Sequence, residues 1–414
     1  MMLVCPWPAS TGHFLELERE LAYGSRANRE LARDLVALAL DGGSLLIGVE
    51  ELPDGTLQLA PQPLHGLAER IEQVAAMTPD PPLEVVTRSI LTREDPAVGY
   101  LVVQVPPSPS APHMVDSRYL GRADKTKRYL TDHEVVRHHS QRRLDEQDAA
   151  ALLDTEFARD PIPSDRRRRA HLFLVAEPVA GRAGMLLALT HGEHWQQRVH
   201  GCLQSQIRDE AVTGALAAAR VGGFSPSLED LSRFNRREGG VALTSSGLGP
   251  GRVLTDDGWD PESLAELEIR EDGGLRVFLG RLSDQLDAQP DVQMLFDSAV
   301  VLYVRQFLSL VAGAAEQAEY LSHWAVAAGA TGLRGCRSYS LHQGAWSTGR
   351  EPPYSGEVYR RGVIASRSDL VSGPGHLSDR LVGPLLRGLG VWQRYEAALT
   401  DQRSTFPPRV TSDN

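Results

Sequence analysis

Four glutamates stand where they could share a metal ion. Glu16 and Glu18 alternate with leucines in LELE at 15–18, so a strand would place both carboxylates on one face. Glu50 and Glu51 follow an apolar run that reads as a second strand. Carboxylates from two strands can bind a divalent metal ion, which would polarise a phosphodiester and activate water. The alternative interpretation is that all four are solvated surface acids.

A short basic segment indicates a second kind of chemistry. Tyr119 and Tyr129 flank it, and cations interleaved with tyrosines can grip a phosphate backbone and stack on bases. The same segment can equally be a solvated charged face. The candidate phosphate contacts are Arg118, Arg122, Lys125, Lys127 and Arg128, with Arg26, Arg29 and Arg33 as a secondary patch.

Other catalytic patterns are absent from the sequence. It contains no Gly-Lys dipeptide, hence no Walker A loop, and no GxSxG elbow. HEVVRHH, at 133–139, has Arg137 where HExxH needs its second histidine, so a zinc protease is excluded. THGEHWQQRVHGC, at 190–202, gathers three histidines and a cysteine, for which metal binding and scattered surface positions are the two alternatives.

The elements that would position these residues predict an α+β domain over residues 10–140. Leu31, Leu35 and Leu38 recur at helical spacing, which predicts a helix over 25–40. Gly42 and Gly43 come where this helix would end and a strand begin. Glycine supplies a left-handed cap there, whereas a phosphate cradle needs the opposite order of strand and helix.

The rest of the chain predicts a linker and a second α+β domain over 170–400. Residues 141–169 are charged and proline-marked, which indicates a short helix and a linker, with the arginines of 166–169 at a solvated junction. The tail, 401–414, is predicted to be mobile. Strands of the second domain are predicted at 171–176, 185–190, 264–271 and 275–280, and helices from 297 to about 325 and from 377 to about 399.

Composition limits the class of protein. The net charge of −11 over 414 residues argues against indiscriminate coating of nucleic acid, although a local basic patch can override it. The N-terminus has no basic region and is interrupted by two prolines, which predicts no secretory signal. The apolar segment from Ala299 contains Arg305 and Gln306 and is too short between polar residues to cross a bilayer. We therefore predict a soluble, cytoplasmic protein that does not bind a membrane.

Taken in order, these segments resemble the Schlafen AlbA-like domain, a family often labelled in bacteria as divergent AAA-type or ATP-binding. Glu16 matches the family's glutamate on an early strand. Residues 38–43 match its helix that ends in small residues and Gly-Gly, and residues 48–51 match its strand that closes with Gly-Val and acids. The family's valine-proline strand end is matched at 105–106 and its Pro-His step at 112–113. Its tyrosine-arginine strand is matched at 119–126 and its Leu-Thr-x-x-Glu helix start at 130–134. The resemblance covers about residues 10–140 and is strongest to actinobacterial two-domain members.

The resemblance implies a domain that binds DNA or RNA in regulation or defence. From the animal Schlafen relatives it also implies an alternative, a ribonuclease that uses Mg²⁺ or Mn²⁺ on three carboxylates. Glu16 and Glu50 match two of these, and Glu18 is the substitute for the third, because residues 1–15 contain no carboxylate. The ATP-binding label has no phosphate loop to support it. A further alternative is a non-catalytic assembly or sensor module, with the possibility of a homo-oligomer.

Overall fold

The computed structural model describes residues 14–93, 95–123, 126–179, 181–207, 225–255, 260–286, 289–342 and 353–401. Lys125 and the predicted mobile tail from 402 onwards lie outside this part of the chain. The protein has an α+β fold, as the sequence predicts. Its chain divides into two compact units, unit 1 (Met1–Leu144) and unit 2 (Asp145–Asn414).

Unit 1 is built on a mixed sheet. Its helices are α1 (Ser25–Leu38), α2 (Leu67–Met77) and the first half of α3 (Asp132–Ala158). Its strands are β1 (Leu15–Glu18), β2 (Gly43–Ile47), β3 (Val49–Glu51), β4 (Leu57–Leu59), β5 (Gln62–Pro63), β6 (Val86–Leu91), β7 (Val98–Val105), β8 (Met114–Val115), β9 (Arg118–Ala123) and β10 (Thr126–Tyr129). The main sheet has the order β1-β2-β7-β5, with β6 also paired to β7, and β10-β9-β8 forms a second sheet.

Helix α1 connects the parallel strands β1 and β2, because parallel neighbours need a crossover connection. It buries Leu31 and Leu35 in the core of unit 1 and packs against β8 and β9. Gly42 has a φ of +81°, and a Cβ on Gly43 would lie 2.8 Å from the carbonyl oxygen of Phe14. The interpretation of these glycines as a turn from helix to strand is confirmed.

A tight hairpin joins β8 to β9. Its two turn residues, Asp116 and Ser117, have φ values of 53° and 60°. Two residues with positive φ form the type I′ turn that matches the twist of antiparallel strands. The hairpin therefore presents the Asp116 carboxylate beside α1, where it accepts a hydrogen bond from Arg33.

Unit 2 is built on one antiparallel sheet of seven strands, in the order β12-β13-β14-β15-β11-β18-β20. A smaller sheet has the order β16-β17-β19. The strands are β11 (His171–Pro178), β12 (Arg233–Arg237), β13 (Gly240–Thr244), β14 (Ala265–Arg270), β15 (Leu275–Leu279), β16 (Ser283–Leu286), β17 (Gln289–Leu295), β18 (Trp324–Thr331), β19 (Arg337–Ser338) and β20 (Tyr359–Ala365). The helices are α4 (Leu187–Thr190), α5 (Trp195–Ile207), α6 (Asp297–Gln317), α7 (Tyr339–His342), α8 (Arg367–Val371), α9 (Pro374–Gly388) and α10 (Glu396–Leu399).

Four predicted elements of this region differ in the structure. The helix predicted from 297 to about 325 ends at Gln317, and the strand β18 begins at Trp324. The strand predicted at 185–190 is wrong: the amide groups of Leu189 and Thr190 bond back to Leu186, which closes the short helix α4. The helix predicted to reach about 399 ends at Gly388, and Gly390, with a φ of +73°, turns the chain away. The segment predicted as a short helix and linker from 141 is helical as far as Ala158.

Helix α6 is the one described helix that is long and apolar enough to cross a membrane. However, 83% of its most apolar 18-residue stretch is buried inside the protein. Phe307, Leu308 and Val311 lie in the core of unit 2, together with residues of α5 and α9. Helix α6 is therefore buried as the core helices of soluble proteins are.

We expect the contact between α3 and β20 to be sensitive to a single methyl group. A Cβ on Gly362 would lie 2.3 Å from the amide nitrogen of Ala150 and 2.6 Å from the carbonyl oxygen of Glu146. Both are backbone atoms of α3 and cannot rotate away. Gly362→Ala should lower the free energy of unfolding by about 1–3 kcal/mol, measured by denaturant titration.

Gly201→Ala is the matched control. Gly201 lies inside α5, and a Cβ there would meet no atom within 4 Å. This variant should be neutral or more stable by about 0.5–1 kcal/mol, because alanine loses less backbone entropy in a helix. Equal stabilities of the two variants would contradict the close approach of α3 to β20.

Candidate functional site

The first contact of the candidate site is an ion pair between Arg122 and Glu16. The Arg122 side chain is 1% exposed and that of Glu16 is 18% exposed. A second bond runs from Arg122 Nη2 to the carbonyl oxygen of Leu15, at 3.3 Å. Because a buried guanidinium is stable only when a carboxylate neutralises it, this pair ties β9 to β1. Arg122, predicted as a phosphate contact, lies in the interior, and a phosphate would have to displace Glu16 to reach it.

The second contact joins β10 to α1. The Nζ atom of Lys127 lies 2.7 Å from Oδ1 of Asp34 and 3.2 Å from Oε2 of Glu30. These two acids are four residues apart, so they share one face of the helix and one lysine can bridge both. Burial raises the pKa of Asp34, and the hydrogen bond from Lys127 opposes that increase. Lys127 is thus a predicted phosphate contact that already holds two acids.

Glu18 lies near Glu16 and Asp34. Among the described residues of unit 1, its carboxylate makes no hydrogen bond and no ion pair. Burial raises its pKa to about 6, and the negative charges of Asp34 and Glu16 add to the increase. Lys127 opposes it. The structure therefore brings Glu16, Glu18 and Asp34 into one electrostatically coupled group, which we call the acid cluster.

Glu50, the fourth residue of the predicted metal site, is paired elsewhere. Its Oε2 atom lies 3.0 Å from Nη1 of Arg19, in a pair whose side chains are 35% and 58% exposed. Exposed pairs of this kind contribute little to stability. Within the described part of the chain, no group of three or more histidine, cysteine or acidic side chains is arranged to hold a metal ion.

Arg128, on β10, binds the first turn of helix α3. Its Nη1 atom donates to Oε2 of Glu134 at 2.9 Å. Glu134 also accepts from the amide of Thr131, whose hydroxyl in turn accepts from the amide of Glu134. This is a capping box, which explains the Leu-Thr-x-x-Glu pattern in structural terms. The hydrogen bond from Arg128 is the largest cause that holds the pKa of Glu134 well below its usual range, and the hydrogen bonds from Thr131 add to this effect.

The remaining cations form a surface that we call the arginine face: Arg26, Arg29 and Arg33 of α1, and Arg118 of β9. The three helical residues follow a three- and four-residue spacing opposite the buried Leu31 and Leu35. Arg26 and Arg29 are exposed and pair with no acid among the described residues. Arg33 is bound to Glu30 at 2.6 Å and Asp116 at 2.7 Å.

Arg118 stacks on a tyrosine. Its guanidinium carbon lies 4.7 Å above the ring centroid of Tyr129. In the register of β9 and β10, Tyr129 is opposite Leu120, so Arg118 is its diagonal neighbour, within reach of a long side chain. The predicted combination of cations with a tyrosine is thus present at Arg118 and Tyr129.

Unit 2 contains a charge network that sequence reasoning missed. The predicted position of Arg169 at a solvated junction is wrong: its side chain is 20% exposed and contacts Asp260, Glu262 and Asp284 at 3.0–3.1 Å. Its acids lie about a hundred residues further along the chain, so no local pattern reveals them. Buried His171 lies between Asp160 and Glu262; burial lowers its pKa, and the two carboxylates outweigh that effect and raise it overall.

Comparisons with known proteins leave this chain without an assigned family. No family model and no curated protein matches it. Among solved structures, it is similar to the crystal structure of the DIP2311 protein from Corynebacterium diphtheriae, with a TM-score of 0.24 and 12% identity over 94% of this chain and 91% of that chain. A similarity of this size carries no argument about fold or function.

The raised pKa of Glu18 predicts a pH-dependent stability. The folded protein holds a proton on Glu18 up to about pH 6, whereas the unfolded chain releases it near 4.5. Stability therefore falls as the pH rises between these values, and the loss is complete above pH 6. Glu18→Gln removes the loss. After allowance for solvent screening, we expect the variant to be more stable than the parent by at most about 1 kcal/mol at pH 7.5, measured by urea unfolding.

The same measurement at pH 4 is the internal control, because Glu18 is then protonated in both states and the variant should match the parent. Glu20→Gln, two residues along and exposed, should match the parent at both pH values. A Glu18→Gln variant that is less stable at pH 7.5 would mean that Glu18 has a stabilising partner.

Proposed function

We propose that unit 1 is a nucleic-acid-binding domain of Schlafen AlbA-like type, acting in the cytoplasm in regulation or defence. The supporting observation is the arginine face, in which Arg26 and Arg29 project from α1 and pair with no acid among the described residues. Guanidinium groups exposed in this way can bind successive phosphates and release the counterions of the nucleic acid.

The ion pairs divide the predicted contacts into two groups. Arg122, Lys127 and Arg128 already neutralise Glu16, Asp34 and Glu134, so each would contribute to binding only by exchanging a carboxylate for a phosphate. No described acid pairs with Arg26, Arg29 or Arg118, so these three residues can bind a phosphate without giving up an ion pair. The proposed interface is therefore centred on α1, with β9 and β10 beside it, and Arg26 and Arg29 are its main phosphate contacts.

Binding is better supported than metal-dependent cleavage. A carboxylate that holds an arginine must release it before it can coordinate a metal ion, and this applies both to Glu16 and to Glu50. Glu18 has neither constraint, but the described residues include no group of three histidine, cysteine or acidic side chains that could hold Mg²⁺ or Mn²⁺ around it. We therefore assign to Glu16 and Asp34 of the acid cluster the structural role of holding β9 and β10 against β1 and α1.

Charge reversal on α1 tests the proposed function. Arg26→Glu with Arg29→Glu should lower the affinity for nucleic acid roughly tenfold or more at low salt. It should also reduce the slope of log affinity against log salt by about 2, one unit for each lost phosphate contact. Both quantities can be measured by fluorescence anisotropy with labelled RNA and DNA.

The matched control reverses two other exposed arginines of unit 1. Arg88→Glu with Arg93→Glu makes the same change of net charge beside β6, at the opposite edge of the main sheet from β1. Affinity should change little, because local charge and not net charge governs the contact. Equal losses in the two double variants, or undetectable binding by the parent protein at low salt, would refute the proposed interface.

A further inference from the structure

An exposed tyrosine at the N-terminal end of α1 extends the arginine face. Tyr23 is 85% exposed, and the guanidinium carbon of Arg70 lies 4.7 Å above its ring centroid. Arg70 is itself fixed, because its Nε and Nη2 atoms donate to Oδ1 of Asn28 at 3.0 and 2.8 Å. The ring is therefore held through one face while most of its surface remains in water.

A second arginine–tyrosine stack lies on β9 and β10, two strands that pack against the same helix. Arg118 covers the ring of Tyr129, which is 49% exposed. Lys127, two residues before Tyr129 on β10, binds Glu30 and Asp34, which places the stack beside the second half of α1. The helical residues between the two stacks, from Ser25 to Arg33, rise by roughly 12 Å. Arg26 and Arg29 lie within this distance, so two cations stand between two exposed aromatic rings.

An exposed aromatic ring next to unpaired arginines can bind a nucleic acid in a way that a purely basic surface cannot. A planar ring offers a base a stacking surface, and an arginine behind the ring fixes it and adds a cation–π contribution. In a duplex both faces of each base are covered by its neighbours. An unpaired base, in contrast, can place its face on an exposed tyrosine ring.

We propose that the ligand of the arginine face is single-stranded nucleic acid, with unpaired bases stacked on Tyr23 and Tyr129 and the intervening phosphates on Arg26 and Arg29. This inference rests on the proposed function and names its ligand class. Because stacking is independent of base identity, the recognition tolerates most sequences. RNA and DNA share this chemistry, so both are included in the test.

The experiment compares a labelled single strand with the same strand annealed to its complement, in RNA and in DNA, at one fixed low salt concentration. The parent protein should bind the single strand about tenfold more tightly than the duplex. Tyr23→Leu should weaken single-strand binding by about tenfold. It should leave duplex affinity and the salt slope as they are, because no charge changes. Tyr23→Trp should restore single-strand binding through its larger ring.

The control is Phe14→Leu, which removes another exposed ring of unit 1, at the start of β1, and should not alter the preference for single strands. Tyr23 is almost fully exposed, so its variants should fold as the parent does, which circular dichroism can verify. Equal binding of single strands and duplex, with Tyr23→Leu neutral and the Arg26/Arg29 reversal still harmful, would overturn this inference and leave the proposed function standing. Undetectable binding of every probe at low salt would overturn both.

Discussion

A guanidinium that is buried away from water needs a carboxylate to neutralise its charge. In unit 1 the contact between Arg122 and Glu16 meets this requirement. Removing one partner from a buried pair typically costs about 3–5 kcal/mol, because the other charge stays buried without compensation. The pair holds β9 against β1, and β10 follows β9 through its ladder of hydrogen bonds. Lys127, on β10, is thereby brought to Asp34 on α1. The positions of two sheets and a helix thus depend on one buried charge.

The same constraint decides which charges remain for a ligand. Glu16, Asp34 and Glu134 each hold one cation of the basic segment, so that segment is much less positive in the structure than in the sequence. Unit 2 contains a larger network of ion pairs of the same kind. Arg276 contacts Glu156 at 2.9 Å and Glu177 at 2.6 Å beside the sheet. A network of this kind satisfies its own charges, whereas Arg26 and Arg29 have no described acid to satisfy them.

The sequence predicted what depends on local order and missed what depends on distant partners. Alternation in LELE, helical spacing over 25–40 and the Gly42-Gly43 turn all follow from neighbours along the chain, and the structure confirms β1, α1 and the turn. The Arg122–Glu16 pair joins residues 106 positions apart (122 − 16), and no local pattern encodes it. Asp34 was missed because it occupies the polar border of an amphipathic helix, where an acid usually faces water.

A net charge of −11 is compatible with the proposed nucleic-acid-binding surface because salt limits the range of each charge. At physiological ionic strength the screening length is about 8 Å, shorter than the roughly 12 Å by which α1 rises from Ser25 to Arg33. A phosphate on Arg26 or Arg29 therefore responds mainly to its immediate neighbours. The acids of the remaining surface act at longer range and oppose non-specific accumulation of polyanions. Under the proposed function, the close contacts of arginine and tyrosine would then select a ligand that can present a phosphate and an unpaired base together.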